Sequence, residues 1–326
     1  MIYDIIFFTH ANNRIGFGHA SRCAQLCRIL KSIDESLSIA FVGVFADGSK
    51  ELLKQLCDPV ILGDAQGLIG IYDRMDDPEF PHIWSSSKME QLKRACRKVI
   101  FFANGTCKPK LPRGVACIGY KPGVPETYAK DFYWGLSFAP VHKDAENDAN
   151  HVRRDHSRVF VALGGGATAT STMKVINACK LNNKNHHVDV LLSPVNKIDL
   201  KALETTQFSD VEFHKNVPDL THFFKAAGLV VASYGHLAYE AMAYGSPICL
   251  VGQKQFQTEY AKKLEEKRLC VSAGILDKLT EVQLAKAIES AQKMSNDLSL
   301  NTAAIFDGGG FNRIAEVIYN QYSGVK

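Results

Sequence analysis

The sequence contains the same pattern twice, a strand followed by a glycine-rich loop and a helix. The first copy begins with the continuous apolar run Ile2–Thr9, which leads into the loop Gly16-Phe-Gly-His19. The second copy begins with the strand pattern 158–163, which leads into the triple glycine at 164–166. Because an apolar run without alternation is typical of a strand buried on both faces, each copy predicts the start of a parallel sheet. The sequence therefore predicts an α/β fold with two parallel-sheet domains.

A polar stretch between the two copies predicts the domain boundary. Residues 143–155 read KDAENDANHVRRD and contain almost no large apolar side chains, as is typical of a linker. A chain of 326 residues is also longer than the ~100–200 residues of a single domain. We therefore expect an N-terminal Rossmann-like domain at 1–145 and a C-terminal Rossmann-like domain at 146–326.

The composition excludes several classes of protein. The net charge is only +4 and no run of five or six basic residues occurs, so we expect no nucleic-acid partner. No apolar stretch reaches the ~18 residues of a transmembrane helix. The N-terminal apolar run is too short for a signal peptide and has no basic region before it. We therefore expect a cytoplasmic protein without a transmembrane segment, while peripheral contact with a membrane stays open.

The cysteines and histidines do not show the spacing of a metal site. The nine cysteines are scattered, and no second pair or His-x-x-x-His follows the closely spaced Cys23 and Cys27. Free thiols in a reducing compartment are the expected state. The adjacent His186 and His187 are interpreted as a solvated loop pair without a role. We predict neither a metal nor a cofactor.

The first candidate site combines the N-terminal glycine loop with the end of a later strand. Gly18 permits close approach of a ligand, and His19 lies where the following helix begins, with an imidazole suited to proton transfer near neutral pH. Asp73 and Asp76 follow a predicted strand, at the edge where open α/β sheets bind ligands. The alternatives are a structural glycine turn with a capping histidine, and a solvated acidic turn.

The second candidate site is the triple glycine after the strand at 158–163. Backbone amides of Gly164, Gly165 and Gly166, assisted by the Thr168 hydroxyl, are suited to binding a pyrophosphate. The sequence matches neither a P-loop nor a Gly-x-Gly-x-x-Gly fingerprint. A plain strand-to-helix junction is the alternative.

The third candidate site lies at another predicted helix start. Tyr234, Gly235 and His236 precede or begin this helix, and Glu240 follows within its first turns. From there a carboxylate can accept hydrogen bonds from both hydroxyls of a ribose. Taken alone, a glutamate such as Glu240 is more often a solvated helical residue, and the motif around it changes that weighting.

Two of these segments resemble a known enzyme family. The loop Arg14-Ile-Gly-Phe-Gly-His-Ala-Ser-Arg22 resembles the N-terminal loop of the UDP-sugar hydrolases of pseudaminic acid biosynthesis, and the Gly-x-Gly-His-x-x-Arg loop of related GT-B glycosyltransferases. The segment Val161–Ala167 is similar to the strand and glycine loop that begin the C-terminal domain of that family. In those hydrolases the loop histidine is the proposed base, so the resemblance implies this role for His19.

The C-terminal half resembles the donor-binding region of the peptidoglycan N-acetylglucosaminyltransferases. The similarity runs from Asn216 to Gln257, and it implies that Glu240 holds a nucleotide ribose and that Gln257 lies near the sugar. The tail Phe306–Arg313 is similar to a segment near the end of the sugar hydrolases. The resemblance implies a GT-B architecture, in which two Rossmann-like parallel-sheet domains face a central cleft and the C-terminal one binds a nucleotide-sugar.

The middle of the N-terminal domain departs from the hydrolases. They have Asp-x-Tyr after the strand that ends here at Asp73, whereas residues 71–77 resemble the Tyr-Asp-x-x-Asp-Asp segment of several bacterial glycosyltransferases. This segment lies on the acceptor side, so the resemblance favours transfer to a glycan or glycoconjugate. No Asp-x-Asp metal motif is evident, which favours a metal-independent inverting transferase with His19 and Asp73 on the catalytic side. UDP is the commonest nucleotide among the relatives. A UDP-sugar hydrolase and a non-catalytic nucleotide-sugar-binding protein are the alternatives.

Overall fold

The computed structural model describes residues 2–11, 18–57, 59–73, 87–102, 111–141, 153–164, 166–183, 185–192, 209–215, 217 and 219–326. The chain divides into two compact units, of which unit 1 is Met1–Pro140 with Gly309–Lys326 and unit 2 is Val141–Gly308. The boundary expected between residues 145 and 146 lies outside the described residues and stays a prediction. The last residues, 309–326, belong to unit 1, although the sequence analysis assigned them to the second domain.

Unit 1 contains an eight-stranded sheet in the order β3-β2-β1-β4-β5-β6-β8-β7. Its strands are β1 Ile2–Thr9, β2 Ile39–Val42, β3 Val60–Leu62, β4 Gln66–Asp73, β5 Cys96–Phe102, β6 Val115–Gly119, β7 Thr127–Ala129 and β8 Phe132–Trp134. All neighbouring strands are parallel except β7 and β8. Its described helices are α1 Gly18–Ile33, α2 Asp47–Cys57, α3 Ser87–Ala95 and, at the end of the chain, α10 Gly310–Ser323.

Unit 2 contains a six-stranded parallel sheet in the order β11-β10-β9-β12-β13-β14. Its strands are β9 Asp155–Ala162, β10 His187–Leu192, β11 Val211–Lys215, β12 Ala227–Ser233, β13 Ile248–Gly252 and β14 Val271–Ile275. Its described helices are α4 Ala169–Asn182, α5 Thr221–Ala226, α6 His236–Ala243, α7 Gln255–Glu266, α8 Glu281–Lys293 and α9 Ser295–Ile305.

The apolar runs of the sequence form the central strands, as predicted. Every residue of β12 and β13 is buried, which is the burial expected of a strand covered on both faces. In unit 1, β1 is buried from Ile5 onward, and its residues alternate between two packing faces. The strand and helix patterns read from the sequence therefore correspond to observed elements in both halves.

The last helix, α10, packs within unit 1 through contacts that are far apart in sequence. Tyr322 donates a hydrogen bond to Asp4 over 2.9 Å, and the Gln321 amide donates one to the Tyr133 hydroxyl over 3.0 Å. Gly310 lies against the backbone of Ala139 so closely that no side chain fits there. These contacts explain why the end of the chain belongs to unit 1.

Both sheets have the same connection pattern in their first six strands. The strand order reverses between β1 and β4 in unit 1, and between β9 and β12 in unit 2. In open α/β sheets, ligands bind beyond the carboxyl ends of the strands at such a switch point. The fold therefore indicates one position in each unit where a site is expected.

The interpretation of His186 and His187 as a solvated loop pair is wrong. His186 is only 2% exposed. Its Nδ1 lies 3.1 Å from the carbonyl oxygen of Cys179, and its Nε2 lies 3.0 Å from the side-chain nitrogen of Gln292. His187 is the first residue of β10. Sequence alone missed this because the partners of His186 lie on two separate helices.

Within the described ranges, the helices are all too short or too polar to cross a lipid bilayer.

Candidate functional site

In unit 1, helix α1 and strand β4 bring four polar side chains together at the switch point. β1 and β4 are paired up to Thr9 and Asp73, so Asp73 lies at the carboxyl end of both strands. His19, Arg22 and Cys23 are spaced three and four residues apart on α1, so they share one face of the helix. That face meets Asp73. Gly18 is exposed and is the first residue of α1, while residues 12–17 of the glycine loop lie outside the described residues.

Asp73 is held by a guanidinium fork and an imidazole. Arg22 donates from Nε to Oδ2 over 2.8 Å and from Nη2 to Oδ1 over 2.5 Å. The Nδ1 atom of His19 lies 2.7 Å from Oδ1. The thiol of Cys23 adds a weak donor, with its sulfur 3.6 Å from Oδ2. The carboxylate therefore accepts hydrogen bonds on both oxygens.

The charges around Asp73 fix its protonation state. Burial alone would raise the pKa of Asp73, but the charge of Arg22, followed by that of His19, holds this pKa well below its usual range. Burial raises the pKa of the Cys23 thiol well above its usual value, so the sulfur keeps its proton. Asp73 is therefore an ionised carboxylate at neutral pH.

This ionised carboxylate determines which nitrogen of His19 carries the proton. Two acceptor atoms 2.7 Å apart would repel each other, so Nδ1 must carry a hydrogen that it donates to Asp73. Arg22 Nη2 also lies 3.0 Å from Nδ1, but that nitrogen already donates to the same carboxylate oxygen. When the imidazole is neutral, the Nε2 atom of His19 is then the acceptor. The side chain of His19 is 17% exposed, whereas that of Asp73 is 2% exposed.

Two further residues extend this network. Arg22 donates from Nη1 to the hydroxyl of Tyr120 over 2.5 Å, which occupies the remaining side of the guanidinium. The ammonium of Lys121 lies 4.8 Å above the ring of Tyr120. Burial, together with the charge of Arg22, lowers the pKa of Lys121 to about 7. Neither residue was singled out by the sequence, because both lie beyond β6, far along the chain from α1.

In unit 2, a cavity of about 300 Å³ lies at the switch point between β9 and β12. Predicted site residues that line it are Gly164, Gly166, Tyr234, Gly235, His236 and Gln257. Gly164 has a φ of +75°, which favours glycine, and a side chain at Gly166 would lie 2.5 Å from Oε1 of Gln253. Gly165 lies outside the described residues. Gly164 and Gly166 therefore expose backbone to the cavity just beyond the carboxyl end of β9.

The amides of two glutamines hold the walls of this cavity together. Gln253 donates from Nε2 to the carbonyl of Leu163 over 2.6 Å and to the hydroxyl of Ser233 over 2.9 Å, so it joins the ends of β9 and β12. Gln257 accepts from the backbone of Gln253 over 2.8 Å and donates to the carbonyl of Tyr234 over 3.0 Å. Sequence reasoning missed Gln253, since its partners come from two distant strands.

Helix α6 begins at the cavity, so its first backbone N–H groups lie there. It starts at His236, and no side chain caps it at Gly235. The first N–H groups of a helix and its dipole attract anions. Lys254 adds a positive side chain to the lining, whereas Tyr234 is buried and stacks on Tyr260 with ring centres 4.8 Å apart. The cavity is therefore suited to a phosphate group.

Two predicted residues lie beside this cavity instead of lining it. Thr168 caps helix α4, its hydroxyl accepting from the backbone of Ser171 over 3.1 Å. Glu240 lines a second cavity of about 210 Å³, which Asp219, Thr221 and Tyr244 also line. His236 Nε2 lies 3.1 Å from Glu240 Oε1, so the two cavities adjoin through this contact.

In sequence, the chain is only distantly similar to known proteins. No family model matches the chain. The uncharacterized protein MJ1062 of Methanocaldococcus jannaschii is 18% identical over 292 residues, which cover 81% of this chain. The chain spans 60% of the length of that curated relative.

Solved structures of glycosyltransferases are similar over nearly the whole chain. CalG4, the calicheamicin glycosyltransferase, has 16% identity and a TM-score of 0.67, with 100% of both chains covered. MurG of Acinetobacter baumannii has 12% identity and a TM-score of 0.60, with 97% of this chain and 99% of that one covered. A UDP-glucosyltransferase from Polygonum tinctorium has 12% identity and a TM-score of 0.60, with 98% of each chain covered. With its two Rossmann-like parallel sheets and this likeness, the chain has the GT-B fold.

Proposed function

We propose that this protein is a metal-independent, inverting glycosyltransferase that uses a nucleotide-sugar donor, with UDP as its nucleotide. The single observation that carries the proposal is the contact between His19 and the ionised Asp73 in unit 1. The acceptor is proposed to be a glycan or glycoconjugate in bacterial glycan biosynthesis. Unit 2 binds the donor, and unit 1 supplies the group that accepts the proton.

The chemistry assigned to His19 is general base catalysis. An acceptor hydroxyl forms a bond to the anomeric carbon of the sugar and gives its proton to Nε2 of His19. The bond between the anomeric carbon and the phosphate oxygen breaks, and the nucleoside diphosphate leaves. Asp73 keeps the imidazole in the required tautomer and stabilises the imidazolium that forms, because its carboxylate lies 2.7 Å from Nδ1. Attack from the side opposite the leaving group inverts the anomeric centre.

Binding of the donor is assigned to the two cavities of unit 2. The diphosphate is proposed to lie against Gly164, Gly166 and the start of α6, where backbone amides and Lys254 offset its charge. Glu240 is proposed to accept hydrogen bonds from the ribose in the neighbouring cavity. Gln257 is expected near the sugar, although its amide is engaged with backbone groups.

Metal independence is supported by the chemistry of the phosphate cavity. Among the described residues that line it, none is a carboxylate, the ligand type on which Mg²⁺ and Mn²⁺ sites depend. The positive groups are the N terminus of α6 and Lys254. These groups can stabilise the leaving diphosphate in the way that a metal ion does in other transferases.

The test begins with thermal-shift screening against UDP, CMP, GDP and TDP. A ligand at 100 times its Kd adds about 2.7 kcal/mol to stability, which gives a clear rise in Tm. Sugar derivatives of the nucleotide that binds are then incubated with and without candidate acceptors, and the products are separated by mass. The proposal predicts slow donor breakdown alone and fast transfer of sugar when the right acceptor is present.

Two other outcomes would favour the alternative functions. Rapid release of free sugar from the donor alone favours a nucleotide-sugar hydrolase, in which His19 activates water. A donor that saturates the protein and survives prolonged incubation with acceptors favours a non-catalytic binding protein. His156→Ala, an exposed position at the start of β9, serves as the matched histidine control for every His19 variant.

A further inference from the structure

Two neighbouring strands of unit 2 each carry a histidine and a carboxylate in alternation. Strand β10 begins His187-Val-Asp189, and β11 contains Glu212-Phe-His214. Side chains two residues apart on a strand point to the same face. The strands are parallel, and Asp189 is paired with Glu212, so all four side chains lie on one face of the sheet.

The ligand atoms of three of these side chains converge, and His214 lies beside them. His187, Asp189 and Glu212 each offer one atom within 4.8 Å of the other two. Nε2 of His187 lies 3.5 Å from Asp189 Oδ1 and 3.9 Å from Glu212 Oε1. Nε2 of His214 lies 2.8 Å from Asp189 Oδ1 and 3.9 Å from Glu212 Oε2. Each imidazole thus approaches both carboxylates.

These separations suit a tetrahedral metal ion. Nitrogen and oxygen ligands ~2.0–2.1 Å from zinc stand roughly 3.3–3.4 Å apart at the tetrahedral angle. The four nitrogen–oxygen separations in the cluster, from 2.8 to 3.9 Å, lie on both sides of that value. Two imidazoles and two carboxylates are also a donor set that zinc accepts. Side-chain rotation of Glu212, which is 59% exposed, can adjust the two longer distances.

A partly exposed arginine, Arg158, holds the central carboxylate in place. The side chain of Asp189 is fully buried, and Arg158 donates to it from Nε over 2.5 Å and from Nη2 over 3.0 Å. Such a second partner fixes the orientation of a ligating carboxylate. The two carboxylates and the one guanidinium of this cluster together carry a net negative charge. His187 is 32% exposed, so a cation can enter from solvent.

This cluster is separate from the proposed donor cavity. The cavity lies beyond the carboxyl end of β9, at Ala162 and Leu163. None of the four residues of the cluster lines this cavity, and His187 lies at the opposite end of its strand, paired with Arg158. The inference therefore does not depend on the proposed function.

We propose that His187, Asp189, Glu212 and His214 form a binding site for a divalent transition metal, with zinc as the best match. All four ligands come from the protein, as in a structural site. The ion joins β11, the edge strand of the sheet, to β10 and stabilises unit 2.

The experiment uses the full chain, stripped with EDTA, dialysed and then titrated with Zn²⁺ alone. We expect one zinc per chain after desalting, measured by plasma mass spectrometry, together with a rise in Tm. Co²⁺ added in place of Zn²⁺ is expected to give the visible absorption of a tetrahedral site. His187→Gln and Glu212→Gln should each lower zinc affinity by about tenfold or more, because loss of even an outer partner costs about 10–100-fold.

Both substituted positions are partly exposed, so these variants are expected to fold, and their Tm in EDTA should equal that of the unchanged protein. Asp189 is left intact because it is fully buried and its loss would leave Arg158 without this partner. His156→Gln is the matched control and should bind zinc normally. Failure of the unchanged protein to retain stoichiometric zinc overturns the proposal. Equal zinc affinity in His187→Gln, Glu212→Gln and the unchanged protein overturns it as well.

Discussion

The two switch points have the same topology but different chemistry. In unit 1, the ends of β1 and β4 meet charged side chains, in which the Arg22 fork and the His19 imidazole converge on buried Asp73. In unit 2, the ends of β9 and β12 open onto a cavity whose lining includes three glycines, two glutamine amides and the start of a helix. Identical strand order therefore does not decide what a site does.

The difference indicates which task each unit can perform. A buried carboxylate that holds an imidazole in one tautomer is suited to moving a proton. Backbone amides and a helix N terminus are suited to holding an anion without titrating. Under the proposed function, proton transfer depends on unit 1 and recognition of the diphosphate depends on unit 2. Substitutions in one unit can therefore test its task separately from that of the other.

The largest expected effect is on turnover. His19→Ala removes the proton acceptor, and we expect kcat to fall by about 10²–10⁴-fold, the usual contribution of general base catalysis. The Kd for the nucleotide should stay within about twofold, because α1 does not belong to unit 2. Product formation under saturating donor and isothermal titration with the nucleotide measure the two quantities. Full activity in His19→Ala would reject His19 as the base.

The next effect is on the stability of unit 1. Arg22→Met leaves the carboxylate of Asp73 buried without its charged partner, and breaking a buried pair costs about 3–5 kcal/mol. Urea unfolding followed by the fluorescence of buried Trp134 measures this free energy in unit 1. Lys54→Met removes an exposed ion pair with Glu51, so it should cost about 0–1 kcal/mol. Similar losses of unfolding free energy in Arg22→Met and Lys54→Met would contradict a structural role for the ion pair between Arg22 and Asp73.

A smaller effect depends on pH. The folded pKa of Asp73 is below its unfolded value, so its contribution to stability is complete above the unfolded pKa and is lost as pH falls toward the folded one. We expect this contribution to reach about 2 kcal/mol at neutral pH and to disappear progressively below about pH 5. Asp73→Asn should be less stable at pH 7 yet lose less on acidification, as measured by urea midpoints at pH 7 and pH 4. An equal loss of stability between pH 7 and pH 4 in Asp73→Asn and in the unchanged protein would contradict the lowered pKa of Asp73.

The smallest effect is on nucleotide affinity. A methyl group at Gly166 would lie 2.5 Å from Oε1 of Gln253, which two hydrogen bonds hold in place. We expect Gly166→Ala to weaken nucleotide binding about tenfold, or about 1.4 kcal/mol, by disturbing the phosphate site. Gly324→Ala, at the end of α10, meets only ordinary contacts and should bind normally. If Gly166→Ala binds the nucleotide as tightly as the unchanged protein, the glycine loop is not part of the donor site.

Much of the fold could be predicted from local sequence. The continuous apolar runs indicated strands covered on both faces, and glycines marked the loops that follow them. The hairpin of β7 and β8 was missed, because its signal is a short turn in which Asp131 adopts a φ of +65°. The return of α10 to unit 1 was also missed, since it depends on contacts such as Tyr322 with Asp4.

The sites were predicted less completely than the fold. His19 and Asp73 were both selected from the sequence, since His19 lies at a predicted helix start and Asp73 at the end of a predicted strand. The fork from Arg22 was missed, because it joins positions on α1 and β4 that only the sheet brings together. The cluster on β10 and β11 was missed for the same reason, as its alternation has meaning only once the two strands are paired.

The division of tasks between the two switch points is tested most directly by locating the nucleotide. Crystals soaked with 5-bromo-UDP allow the base to be found from the anomalous signal of bromine and the phosphates from their density. The account predicts the diphosphate against Gly164, Gly166 and the start of α6, with the ribose at Glu240. A diphosphate bound instead beside Asp73 and Arg22 would contradict it.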